Sequence, residues 1–108
     1  MFKVRKNASF KWDVKVQVPV DGRHVEQRFT AQFKQVDRSR FTDLRDDPES
    51  EQALLRDVLL GWEGIADENG ETIAFSDEAR DALLEIPYVR LAVVEAFFEG
   101  ISGRKRKN

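Results

Sequence analysis

The stretch Phe10-Lys11-Trp12-Asp13-Val14-Lys15-Val16-Gln17-Val18-Pro19-Val20 decides the fold. Phe10, Trp12, Val14, Val16, Val18 and Val20 hold the even positions, and Lys11, Asp13, Lys15, Gln17 and Pro19 the odd ones. Side chains alternate between the faces of an extended chain, so this is a strand with one buried face. Pro19 donates no backbone hydrogen bond and belongs at a strand end or on an edge. Asp21-Gly22 follows as a tight turn, since glycine readily takes the positive φ that hairpin turns require. A second strand over about residues 24–34 puts Val25, Gln27, Phe29, Ala31 and Phe33 on the inner face and Glu26, Arg28, Thr30, Gln32 and Lys34 opposite. Two strands are marginal in water, so this hairpin must lay its inner face on helices.

After Val36 the period changes. Asp37 is a good N-cap, with Val36 and Phe41 spaced as a hydrophobic staple across it, and the spacing predicts a short helix to about Leu44. Asp46-Asp47-Pro48 breaks and restarts the helical pattern, with Asp47 as cap and Pro48 in the first turn. Ala53, Leu54, Leu55, Val58 and Leu59 repeat at helical spacing as far as Gly61, where glycine can close the helix. Residues 61–75 read as a loop with room for a small hairpin at Asn69-Gly70. Ser76 caps a helix to about Glu85. Pro87 opens a final helix with an apolar set of Leu91, Val94, Phe97, Phe98 and Ile101, ended by Gly100 and Gly103. On that pattern Leu91 is a core residue whose replacement by Asp unfolds the domain. The expected class is therefore α+β: an N-terminal antiparallel β-hairpin packed against a bundle of three to four α-helices. A single globular domain covers residues 1–103, and 104–108 form a basic disordered tail.

At 108 residues, with 41% hydrophobic and 10% aromatic content, the chain has enough apolar material for one core. The absence of cysteine removes disulfides, thiolate catalysis and sulfur-ligated zinc. No run approaches the ~20 apolar residues of a membrane span, and a cytosolic, membrane-free protein is expected. Charge is segregated: residues 1–36 hold eight Lys/Arg against three Asp/Glu, and residues 37–103 hold six against seventeen. Four more basic residues, Arg104, Lys105, Arg106 and Lys107, close the chain. A strongly acidic middle argues against a nucleic-acid-binding body.

No catalytic set stands out. His24 is the only histidine, sits beside the hairpin turn and has no nucleophile paired with it. Asp67-Glu68-Asn69-Gly70-Glu71 resembles part of a calcium loop, but aligning Gly70 with that loop's glycine puts Ile65 at the first ligand position and Ser76 at the last. Glu49, Glu51, Asp77, Glu78 and Asp81 sit in early helical turns, where carboxylates complement the helix dipole. No metal or cofactor is expected. Candidate partner-binding residues are Trp62, between Gly61 and Gly64, the adjacent pair Phe97 and Phe98, which are difficult to bury together on one narrow stripe, and the basic Arg104, Lys105, Arg106 and Lys107.

In order along the chain stand Phe10-Lys11-Trp12, Phe29-Thr30-Ala31-Gln32-Phe33-Lys34, Gly61-Trp62-Glu63-Gly64-Ile65, Phe75-Ser76-Asp77-Glu78, Ile86-Pro87-Tyr88-Val89-Arg90 and Ser102-Gly103, ahead of Lys107-Asn108. This ordered set resembles the tail assembly chaperone family of long-tailed bacteriophages and prophages over nearly the whole chain. The resemblance implies a non-enzymatic protein of the host cytoplasm that binds the tape measure protein, a very long and mostly helical client. It would keep that client soluble while tail tube protein subunits polymerise around it, and be absent from the mature virion. Self-association is compatible with this role. The family has no shared catalytic or metal residues to carry over. Many members are also made as a longer product when ribosomes slip back by one base, and Arg106-Lys107-Asn108 can be encoded with the slip site A-AAA-AAC. Two other classes stay open: a small nucleic-acid-binding regulator using the basic tail and first strand, and a minor structural tail protein. Salt-dependent DNA binding would mark the first, and detection in purified virions the second.

Overall fold

The computed structural model describes residues 1–6, 8–42 and 48–104. The expected helix end at Leu44, the cap at Asp47 and the tail residues Lys105, Arg106, Lys107 and Asn108 lie outside the described residues. The elements are β1 (Ser9–Val20), β2 (Arg23–Lys34), α1 (Arg38–Phe41), α2 (Pro48–Val58), β3 (Leu59–Glu63), α3 (Asp77–Leu84) and α4 (Pro87–Ser102). The fold is mixed α+β, with one antiparallel sheet in the order β1-β2-β3.

The hairpin forms as its alternation requires. Gly22 turns the chain at φ +76°, and the register pairs Phe10 with Phe33, Trp12 with Ala31, Val14 with Phe29, Val16 with Gln27 and Val18 with Val25. Directly opposed residues share a face of the sheet. That face carries the buried Val14, Val16, Ala31 and Phe33, while Lys11, Asp13, Lys15 and Arg28 lie exposed on the other.

The sheet has a third strand that the sequence reading placed partly in a helix and partly in a loop. α2 ends at Val58 and the chain passes directly into β3, so Gly61 closes no helix; it lies opposite Gln32 in the sheet. Phe33 pairs with Leu59 and Gln32 with Gly61, so Leu60 is an extra residue bulged from the ladder, and it is exposed. The bulge puts Leu59 and Trp62 on the same face although they are three residues apart. Beyond β3, the chain makes the small antiparallel turn expected at Asn69-Gly70: Ala66 bridges Thr72, and the Asp67 carboxylate accepts from the backbone N–H groups of Asn69 at 2.9 Å and Glu71 at 3.0 Å.

Helix starts follow their caps. Asp37 Oδ1 accepts from Arg40 N–H at 3.1 Å, and Ser76 Oγ from Ala79 N–H at 3.0 Å. Val36 and Phe41, the staple pair, are both packed on the core. α4 is the main helical cover of the sheet, lying on β1, and it also packs on α3, while α2 touches β2 and β3. Its buried residues are Val89, Ala92, Val93, Val94, Ala96 and Phe97. Leu91 is a correction: it is 55% exposed and belongs to the outer face of α4, not to the core. Gly100 is another, for it lies inside α4 and ends nothing. A Cβ there would stand 2.6 Å from Phe10 Cε2 and 3.2 Å from Trp12 Cδ2, so glycine lets the helix approach β1 closely. Gly103, at φ +72°, does close the helix, its N–H donating to the Glu99 carbonyl at 2.9 Å.

Candidate functional site

The two ends of the hairpin are covered differently. At the open end the rings of Phe10, Phe33 and Phe97 interlock, with centroids 5.8 Å apart for Phe10–Phe33 and 5.3 Å for Phe33–Phe97, and Phe41 lies against Phe97 and Phe98. At the turn end the inner face is only partly covered. There a groove of about 490 Å³ opens among Val16 and Val18 of β1, Phe29 of β2, Ile65 after β3, and Ile86 and Tyr88 at the start of α4. That volume is within the ~300–1,000 Å³ typical of binding sites.

Local sequence explains why the groove stays open. Leu84 ends α3 and Pro87 begins α4, so the chain turns at Glu85-Ile86 beside the hairpin instead of laying a helix across it. Gly64, at φ +91°, turns the chain off β3 so that residues 65–68 form the opposite wall, and a Cβ there would stand 3.8 Å from Phe29 Cα. Arg90 fixes the α4 side: its guanidinium donates to the Leu84 carbonyl at 3.2 Å, to Glu51 Oε1 at 3.0 Å and to Gln52 Oε1.

The charged rim has one cation and two anions. Arg28 is paired with Glu26 at 2.9 Å, and the guanidinium, helped by the Gln17 amide, holds the Glu26 carboxyl below the usual carboxylate range. Asp67 and Glu68 line the other side, and among the described residues neither has a cationic partner. The groove therefore offers an apolar floor and an acidic lip. Each apolar side chain it buries is worth ~1.5–3 kcal/mol before the cost of association. No nucleophile and base are brought together in it, and among the described residues no three His, Cys, Asp or Glu side chains gather as metal ligands.

No family model, curated protein or solved structure matches this chain.

The described residues singled out from sequence lie elsewhere. Trp62 is half-buried beneath the 65–75 segment, its indole N–H donating to the Ile73 carbonyl at 2.8 Å and its ring edge-on to Phe75 at 4.9 Å. Phe97 is fully buried, whereas Phe98 is half-buried against Phe41. Arg104 is exposed just beyond α4, and Lys105, Arg106 and Lys107 lie outside the described residues. Of these, the described residues Trp62, Phe97, Phe98 and Arg104 do not line the groove. Val18, Phe29, Ile65, Ile86 and Tyr88, which do, were not candidate binding residues from sequence. The available signal was a mismatch: the turn half of the hairpin carries apolar residues for which residues 61–86 supply no helix long enough to cover them.

Proposed function

We propose that this chain is a tail assembly chaperone that binds the tape measure protein, keeps it soluble and assists tail tube polymerisation, and that the groove receives apolar side chains of this helical client. One observation carries the proposal. Phe29, Gly64, Ile65, Ile86, Tyr88 and Val89 come from three of the separate segments on which the family resemblance rests, and all six line this one groove. The framework for it is the N-terminal hairpin seated on the helices, supported by the contacts of α4 with β1 and of α2 with β2. Phe98 and Arg104 are secondary contact candidates at the far end of α4. On this proposal the protein acts in the host cytoplasm, is not an enzyme and leaves before the virion is complete.

The test is co-expression with a tape measure protein encoded beside it. The chaperone role predicts that the client stays in the soluble fraction and is captured by the tagged chain, and that Ile65→Asp at the groove abolishes capture while the variant keeps its circular dichroism spectrum. Unchanged capture by the folded variant removes the groove from the proposal. A genomic setting with no tube protein gene upstream and no very long helical protein gene downstream removes the chaperone itself.

A further inference from the structure

We infer that the groove also binds the N-terminal arm, residues 1–6, of a second copy of this chain, so that the protein self-associates by reciprocal arm docking. Among the described residues, the arm carries the most exposed large apolar side chains. Phe2 is 87% and Val4 70% exposed, and Met1, Phe2 and Val4 make up three of the seven exposed large apolar side chains among the described residues. Its pattern, Phe2-Lys3-Val4-Arg5-Lys6, alternates apolar and basic. Laid out extended, it points Phe2 and Val4 one way and Lys3 and Arg5 the other. The groove has the complementary arrangement, with an apolar floor of Val18, Phe29, Ile65 and Tyr88 and the carboxylates of Asp67 and Glu68 at its lip. The one cation there, Arg28, is already paired with Glu26.

The chain's own arm cannot fill its own groove. The Ala8 carbonyl is held by Gln35 N–H at 2.9 Å, which pins the arm's base to the open end of the hairpin. From that point a fully extended chain carries Val4 ~14 Å and Phe2 ~21 Å. Val16, at the groove, lies eight residues along β1 from Ala8, ~26 Å at strand rise, and Phe29 pairs with Val14, ~20 Å away. An arm folded back on its own strand would bring Phe2 no further than the level of Phe29, at the near end of the groove, and leave Val4 short of it. The arm of a second copy is under no such restriction. This inference stands without the chaperone reading, because it concerns the purified protein alone.

The chain has no cysteine, which makes cross-linking specific. Val4→Cys and Ile65→Cys proteins are mixed under a mild oxidant, with Val4→Cys and Asp13→Cys, on the exposed outer face of the sheet, as the comparison pair. Arm docking predicts a Val4–Ile65 heterodimer at least tenfold more abundant than the comparison product. Sedimentation velocity on the wild type should show concentration-dependent association. Phe2→Ser/Val4→Ser, at positions that contribute no core, should weaken it at least tenfold. The charge swap Glu68→Lys should weaken it, and Arg5→Glu in the same chain should restore it in part. A wild type that stays monomeric up to millimolar concentration overturns the inference. So does equal cross-linking to both partners, or an intramolecular Val4–Ile65 disulfide in the doubly substituted chain at high dilution.

Discussion

The two ends of one hairpin, built from the same alternating pattern, have different fates. At the open end Phe10 packs on Phe33 and Phe33 on Phe97, and Gly100 lets α4 come close to Phe10 and to one edge of Trp12, whose remainder stays exposed. At the turn end Val18, Val25 and Phe29 are equally suited to burial but stay half-exposed, because the chain reverses at Glu85-Ile86-Pro87 beside them. Alternation decides which face is apolar. Whether that face becomes core or binding surface depends on where the helices begin and end.

The comparison breaks most visibly at Phe33. Its side chain is fully buried between Phe10 and Phe97, so Phe33→Ala removes the centre of the sealed end. The expected loss is ~3–5 kcal/mol in urea or guanidinium unfolding. A loss below ~1 kcal/mol would mean that the open end is no better packed than the groove.

Gly100→Ala sharpens the comparison with a smaller effect of definite sign. In an exposed helix the change would stabilise by up to ~1 kcal/mol. Here the new methyl meets Phe10 Cε2 at 2.6 Å, so the ring or the helix must shift, and a net loss of ~1–3 kcal/mol is expected from the same unfolding measurement. Any stabilisation would show that α4 does not lie on β1 as described.

Much of the fold was legible in the sequence, and the parts that were not have identifiable causes. β1, β2, the Gly22 turn, the Asp37 and Ser76 caps and the Pro87 start all follow from local rules that packing does not override. β3 was hidden by its bulge. Skipping Leu60 spaces Leu59 and Trp62 three residues apart, and after Leu55 and Val58 that spacing reads as one more helical turn. The groove was hidden for a different reason: it is an absence of cover, and no residue type encodes a gap. Trp62 and Phe97 drew attention for their size, yet size is equally what a core requires, and both pack inward.

The smallest expected effect is at Leu91, where the sequence pattern and the structure disagree outright. Reading α4 by its bulky residues selects Leu91, Val94, Phe97, Phe98 and Ile101 as its apolar set. The buried face instead runs through Val89, Ala92, Val93, Val94, Ala96 and Phe97, so it keeps Val94 and Phe97 and leaves Leu91 out, and Gly100 lets this face come close to Phe10. Leu91 is left on the solvent side at 55% exposure, so Leu91→Asp should change unfolding free energy by no more than ~0.5 kcal/mol. Val94, three residues on and 2% exposed, provides the contrast on the same helix: Val94→Asp places a carboxylate in the core and should abolish cooperative unfolding. If Leu91→Asp proved as damaging as Val94→Asp, α4 would have to be rotated from the orientation that gives Gly100 to Phe10, and the sealed and grooved ends of the hairpin would have to be assigned again.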